Sequence, residues 1–150
     1  MSFVRIWAHA VWATKMREPL LTKKLKYQVF SHIREYAAAK NIHIDFMNGY
    51  TEHIHCLISL NPEQSIAKVI QLIKGESSFW INRNKLSSGK FEWQDEYFAV
   101  SVSESQLNAV REYIKEYIKN QEKHHSKKTF QQEHDEFISK YEFQNSITPP

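Results

Sequence analysis

His53 and His55 stand one residue apart in "EHIHCLISL". A strand places residues i and i+2 on the same face, so the two imidazoles would lie side by side. Each neutral imidazole offers a nitrogen lone pair, and two together suit a divalent cation. Plainer readings stand beside that one: a partly exposed polar face, or a polar patch whose hydrogen bonds are satisfied. In the same alternation Ile54, Cys56 and Ile58 turn toward the opposite face, where a helix-covered core is expected. Cys56 therefore points away from the pair, which argues against a zinc site of the Cys/His type. A third donor has to come from elsewhere in the chain.

The stretch 104–125 supplies a candidate. Read as a helix, it carries Leu107, Val110, Ile114 and Ile118 as an apolar stripe, and Gln121 falls near the middle of that stripe. A buried carboxamide needs polar partners. Its carbonyl oxygen can coordinate a hard cation, or it can cap a backbone group. Tyr117 lies one turn earlier at the edge of the stripe, within ~6 Å of Gln121 by helix geometry. It reads either as a reactive hydroxyl beside the ion or as a core tyrosine with its hydroxyl at the rim. Tyr113 is the rival, but eight residues of rise place it about 12 Å from Gln121. Glu52, His43, Asp45 and His9 are further candidates, as substitute ligands or as groups that orient the ligands.

Several elements must position these residues. The stretch 3–14 reads as a first strand, with Val4, Ile6, Ala8, Ala10 and Trp12 on one face. A helix is expected over 21–41, with Thr22 as its cap. Strands follow over 42–50, where Ile42, Ile44 and Phe46 share a face, and over 53–60, joined at "NGYTE" as a hairpin. A second helix over 65–85 starts at Ser65 and presents Ile66, Val69, Ile70, Ile73 and Phe79. A fourth strand is expected over 97–103, then the long helix, a short last helix over 129–143 and a frayed tail over 144–150. The order β-α-β-β-α-β predicts an α+β fold of ferredoxin-like type: an antiparallel four-stranded sheet with two helices on one face and the tyrosine-bearing helix added after it. Residues 1–143 are expected to form one domain.

Composition sets the outer bounds. The 150 residues are 41% hydrophobic and 25% charged, ordinary values for a globular chain. No apolar run reaches the roughly 20 residues of a membrane span. The opening "MSFVRIWAHAVW" reads as a strand rather than a signal peptide. The single cysteine excludes an intrachain disulfide, and a cytoplasmic location is expected. A net charge of +3 permits a phosphate-rich partner without requiring one.

Five short pieces then occur in a recognisable order: "WAHAVWATKMREPLL", "EHIHCLISL", "IKGESS", "YFAVSVS" and "YIKNQEKHH". Together they resemble the single-tyrosine HUH transposases of bacterial insertion sequences, including their REP-associated relatives, over about residues 3 to 143. The resemblance implies cleavage and rejoining of single-stranded DNA, with hairpins read near the ends of a mobile element. It implies a 5′-phosphotyrosine made by Tyr117, and Mg²⁺ or Mn²⁺ held by His53, His55 and Gln121. It also implies a homodimer. A host-adopted relative that nicks or binds repeat hairpins without moving an element is the alternative. Lys15, Arg17, Lys74, Lys119 and Lys123 are the expected DNA contacts, and a solvated basic face is the plainer reading of each. Trp80, Trp93 and Tyr97 could stack on unpaired bases, although packing explains each of them adequately.

Overall fold

Thr22 and Ser65 each end an extended stretch and open a helix. The Thr22 hydroxyl accepts the Leu25 N–H at 3.2 Å, and the Ser65 hydroxyl accepts the Lys68 N–H at 3.1 Å. Each cap satisfies one of the amides that a helix start leaves unpaired. The structure, a computed structural model, describes residues 2–124 together with the isolated positions Gln132 and Ser139. Its elements are β1 (Ile6–Ala13), α1 (Lys23–Ala39), β2 (His43–Gly49), β3 (His53–Leu60), α2 (Ile66–Arg83), β4 (Phe98–Val102) and α3 (Leu107–His124). Short 3₁₀ turns at Lys15–Arg17 and Glu104–Gln106 precede α1 and α3. The last helix expected over 129–143 and the tail over 144–150 lie outside the described residues, Gln132 and Ser139 apart.

The strands pair in the order β2-β3-β1-β4, every pair antiparallel. This is the ferredoxin-like α+β arrangement expected from the element order. On one face Ala10, Trp12, Ile54, Cys56 and Ile58 pack against Leu25, Val29 and Ile33 of α1 and Val69, Ile70 and Ile73 of α2. On the other, Trp7, Leu57 and Val102 pack against Leu107, Val110, Ile114 and Ile118 of α3. Each such aliphatic side chain contributes about 1.5–3 kcal/mol on burial, so both layers are firmly seated. Among the described residues no helix is long and apolar enough to cross a membrane.

Two expectations are corrected. Phe79 is 59% exposed, and Ile81, at 0%, completes the buried stripe of α2. Phe79 follows Ile73 by six residues, which leaves it about 120° away around the helix. Ile42 and Ile44 join the α1/α2 core, but Phe46 packs on the α3 side. The cause is a β-bulge: Ile44 opposes Ile58 and Phe46 opposes Leu57, so Asp45 is the extra residue and the alternation reverses after it. Ile6 keeps the face of Ala8 as expected and, where β1 begins, is 51% exposed.

The hairpin turns at 50–52, within the expected "NGYTE", and Gly49 closes β2. A Cβ at Gly49 would stand 2.6 Å from the His53 carbonyl oxygen, so only glycine lets β2 approach the start of β3 this closely. The segment after α2 also belongs to the core. Phe91 is fully buried, and the Trp93 indole N–H donates to the Ser77 hydroxyl at 2.9 Å. Trp93 is thus a packing residue rather than a base-stacking platform.

Candidate active site

Both histidines of the pair are buried beneath α3, His53 1% and His55 3% exposed, so they are not a solvated polar face. Each ring is held through Nδ1. Glu52 Oε1 accepts from His53 Nδ1 at 2.8 Å. His55 Nδ1 meets His9 Nε2 at 3.0 Å, with the two ring planes 20° apart. Nε2 of both rings is buried as well. A carboxylate on Nδ1 places the His53 proton there and leaves Nε2 as the lone-pair nitrogen, a pattern that orients metal-ligating histidines.

Glu52 is itself gripped. Arg17 Nη2 donates to Glu52 Oε1 at 2.6 Å, and the Thr51 hydroxyl donates to Oε2 at 2.9 Å. Burial alone pushes the Glu52 carboxyl up, but the hydrogen bonds from His53 and Arg17 and the positive charge of the guanidinium lower it to about 2. It is therefore a carboxylate at neutral pH. Arg17 reaches it from a turn in which Met16 and Arg17 adopt positive φ values of 56° and 54°. Thr14 anchors that turn, its N–H donating to the Glu52 carbonyl at 2.8 Å.

From α3 the Tyr117 ring stands edge-on to both imidazoles, with centroids 6.0 Å from His53 and 5.4 Å from His55. The chain thus brings a tyrosine over its own histidine pair. Gln121 is 6% exposed, on the buried face of α3 one turn beyond Tyr117. Among the described residues no group of three His, Cys, Asp or Glu is arranged to hold a metal. An amide oxygen is a hard donor of the kind that suits Mg²⁺ or Mn²⁺. Two buried imidazole nitrogens, and a buried carboxamide on the helix that covers them, are compatible with such an ion. Cys56 is excluded: it lies in the α1/α2 core, where burial pushes its thiol up to about 12.

The remaining candidates separate cleanly. Asp45 is committed to Arg111 of α3, whose Nε and Nη2 donate to its two oxygens at 2.7 and 2.8 Å. His43 packs edge-on against Trp7, centroids 5.9 Å apart. Arg17 serves Glu52. Lys74 Nζ donates to the carbonyls of Gln94 and Asp95 at 2.6 and 3.0 Å, which ties α2 to the segment leading into β4. Lys15 pairs with Glu92 at 2.9 Å, and Lys90 meets the same carboxylate at 2.8 Å. Lys119 is exposed on α3; the side chain of Lys123 lies outside the described residues. Trp80 stacks on His32 at 4.1 Å between centroids. The linking roles of Glu52 and His9 were open in the sequence: the side-chain contact to His53 decides that of Glu52, and strand register that of His9, since Val11 opposes His55 and puts His9 on the diagonal of the same face.

A family model for IS200-like transposases matches residues 2–121. The chain belongs to the IS200-like transposase family. It is 27% identical over 112 residues to the ISDra2 transposase TnpA of Deinococcus radiodurans, spanning 71% of this chain and 79% of that one. Two solved structures share the fold. One is a Deinococcus radiodurans R1 protein described as a transposase, with TM-score 0.62, 20% identity, and coverage of 77% of this chain and 92% of that one. The other is a REP-associated tyrosine transposase bound to a REP hairpin, with TM-score 0.58, 21% identity, and coverage of 83% and 72%.

Proposed function

We propose that this IS200-like transposase cleaves and rejoins single-stranded DNA with Tyr117 as nucleophile and His53, His55 and Gln121 as ligands of a divalent ion. The observation that carries the reading is the Tyr117 ring 5.4 and 6.0 Å from two buried imidazoles whose Nδ1 atoms are both engaged. When bound, Mg²⁺ or Mn²⁺ supplies polarisation of the scissile phosphate and stabilisation of its developing charge. Every other part of the chemistry belongs to the chain. The Tyr117 oxygen forms a bond to phosphorus while the bond to the 3′ oxygen breaks. The tyrosine proton is given up and the leaving 3′ oxygen ends as a hydroxyl. The product is a 5′-phosphotyrosine, and the reverse attack by a 3′-hydroxyl rejoins DNA and releases the tyrosine. A free tyrosine hydroxyl, with its pKa near ~10, is a weak nucleophile at neutral pH, so holding it rigidly beside the phosphate site matters.

The partner is proposed to be DNA carrying a hairpin, the ligand in the REP-associated structure, with two copies of the chain acting as a homodimer. Lys119 and Lys123 are the proposed contacts to the phosphate backbone. The test is incubation with single-stranded DNA from the genomic flanks, with Mn²⁺ or Mg²⁺, followed by denaturing electrophoresis. A covalent protein–DNA band is expected that requires the metal, is lost in Tyr117→Phe and persists in Tyr113→Phe. Absence of the band with every flank and hairpin, or its loss only in Tyr113→Phe, would overturn the reading.

A further inference from the structure

His9 lies on β1, fully buried, and its Nε2 meets His55 Nδ1. The 3.0 Å contact between His9 Nε2 and His55 Nδ1 holds one proton, and its direction decides what His55 can do. If His9 donates, the His55 proton sits on Nε2 and that nitrogen has no lone pair to offer. If His55 Nδ1–H donates, Nε2 carries the lone pair. A neutral imidazole cannot present both nitrogens as acceptors and keep a proton. The two rings lie within 20° of one plane, the geometry that an in-plane lone pair requires.

We infer that His9 is the positioning residue for His55: it accepts the Nδ1 proton through its own Nε2 and so fixes His55 in the tautomer whose Nε2 can ligate. This rests on the metal reading proposed above and adds a residue to it. The pair of ligands is then oriented by two different chemistries. His53 is set by a carboxylate that is itself clamped by Arg17 and Thr51. His55 is set by a neutral ring, which orients without adding charge. One carboxylate and one imidazole leave the ion more of its positive charge for phosphate than two carboxylates would.

Glutamine is the discriminating replacement, because its terminal amide reaches about as far as the Nε2 of histidine and its oxygen can accept the same proton. The test uses the full chain. Mn²⁺ affinity is measured by calorimetry for wild type, His9→Leu and His9→Gln, with thermal melts to establish that each is folded. The His55 tautomer is read in metal-free wild type by long-range nitrogen–proton NMR. The expected results are a His55 proton on Nδ1, Mn²⁺ binding weakened by ~10-fold or more in His9→Leu, and recovery of most of that loss in His9→Gln. A wild-type proton on Nε2 would overturn the inference. So would His9→Leu binding Mn²⁺ as wild type does, or a folded His9→Gln no better than His9→Leu. Should His9→Leu fail to fold, the NMR tautomer and the glutamine variant decide. Failure of wild type to bind Mn²⁺ at all would instead bring down the metal reading, and this one with it.

Discussion

The two faces of one sheet do different work with the same strands. Along β3, Ile54, Cys56 and Ile58 enter a dry layer under α1 and α2, while His53 and His55 enter a layer under α3 that also holds Tyr117, Gln121 and His9. Both layers are buried, so exposure does not tell them apart. Hydrogen bonding does. Along β3 the first layer is held by apolar packing. The second is a chain of specific bonds from Arg17 through Glu52 to His53, and from His9 to His55. Because a strand alternates, neighbours in sequence can serve stability and chemistry with little interference.

Separation of the faces predicts opposite mutant signatures. Tyr117→Phe removes one hydroxyl from the α3 side. The covalent DNA product should disappear entirely on denaturing gels, while the unfolding free energy from urea titration changes by no more than ~1 kcal/mol. A large loss of stability in Tyr117→Phe would show that the α3 layer is structural after all. On the other face, burial raises the Cys56 thiol to about 12 and encloses it. Since only the thiolate reacts, alkylation at pH 8 should be slower in the native protein than in urea by on the order of 10³-fold or more, set by the unfolded fraction. Rapid native labelling, followed by mass spectrometry, would break the picture of a dry face.

Ile58→Ala probes that dry face more gently. Ile58 is completely enclosed, and its truncation should cost about 2–5 kcal/mol of unfolding free energy. Metal-dependent adduct formation should survive at low temperature, where the variant remains folded. If the adduct is lost while the protein is still folded, the two layers are coupled through β3 and the separation is too simple.

Legibility followed period. Strand alternation told the imidazoles of β3 from its isoleucines, and the helical stripe of α3 singled out Gln121 and Tyr117. Features without a period were opaque. The bulge at Asp45 carries no signal of its own, so the face of Phe46 was read wrongly. Arg17 meets Glu52 across 35 residues of sequence, from a left-handed turn that no glycine marks, and so it read as a DNA contact. Lys74 looked equally free, because nothing in "IKGESS" reveals the carbonyls of Gln94 and Asp95 above it. His9 was visible as a histidine on β1, but its partner depended on the β1–β3 register.

The lysines give the smallest effects and the finest division. Lys74 spends its ammonium donors on backbone carbonyls, so Lys74→Met should lower stability by about 1–2 kcal/mol and leave the salt dependence of DNA binding unchanged. Lys119 is exposed on α3, beyond Tyr117 along the helix. If it contacts a phosphate, Lys119→Ala should leave the melting curve in place. The slope of log affinity against log salt should fall by about 0.7 for one phosphate on a single strand. The weakening should be nearly uniform across DNA sequences, because phosphate contacts carry no base information. Fluorescence anisotropy with a labelled hairpin oligonucleotide at several salt concentrations resolves both variants. A changed slope in Lys74→Met, with none in Lys119→Ala, would move the DNA path off α3 and onto the groove between α2 and the segment before β4.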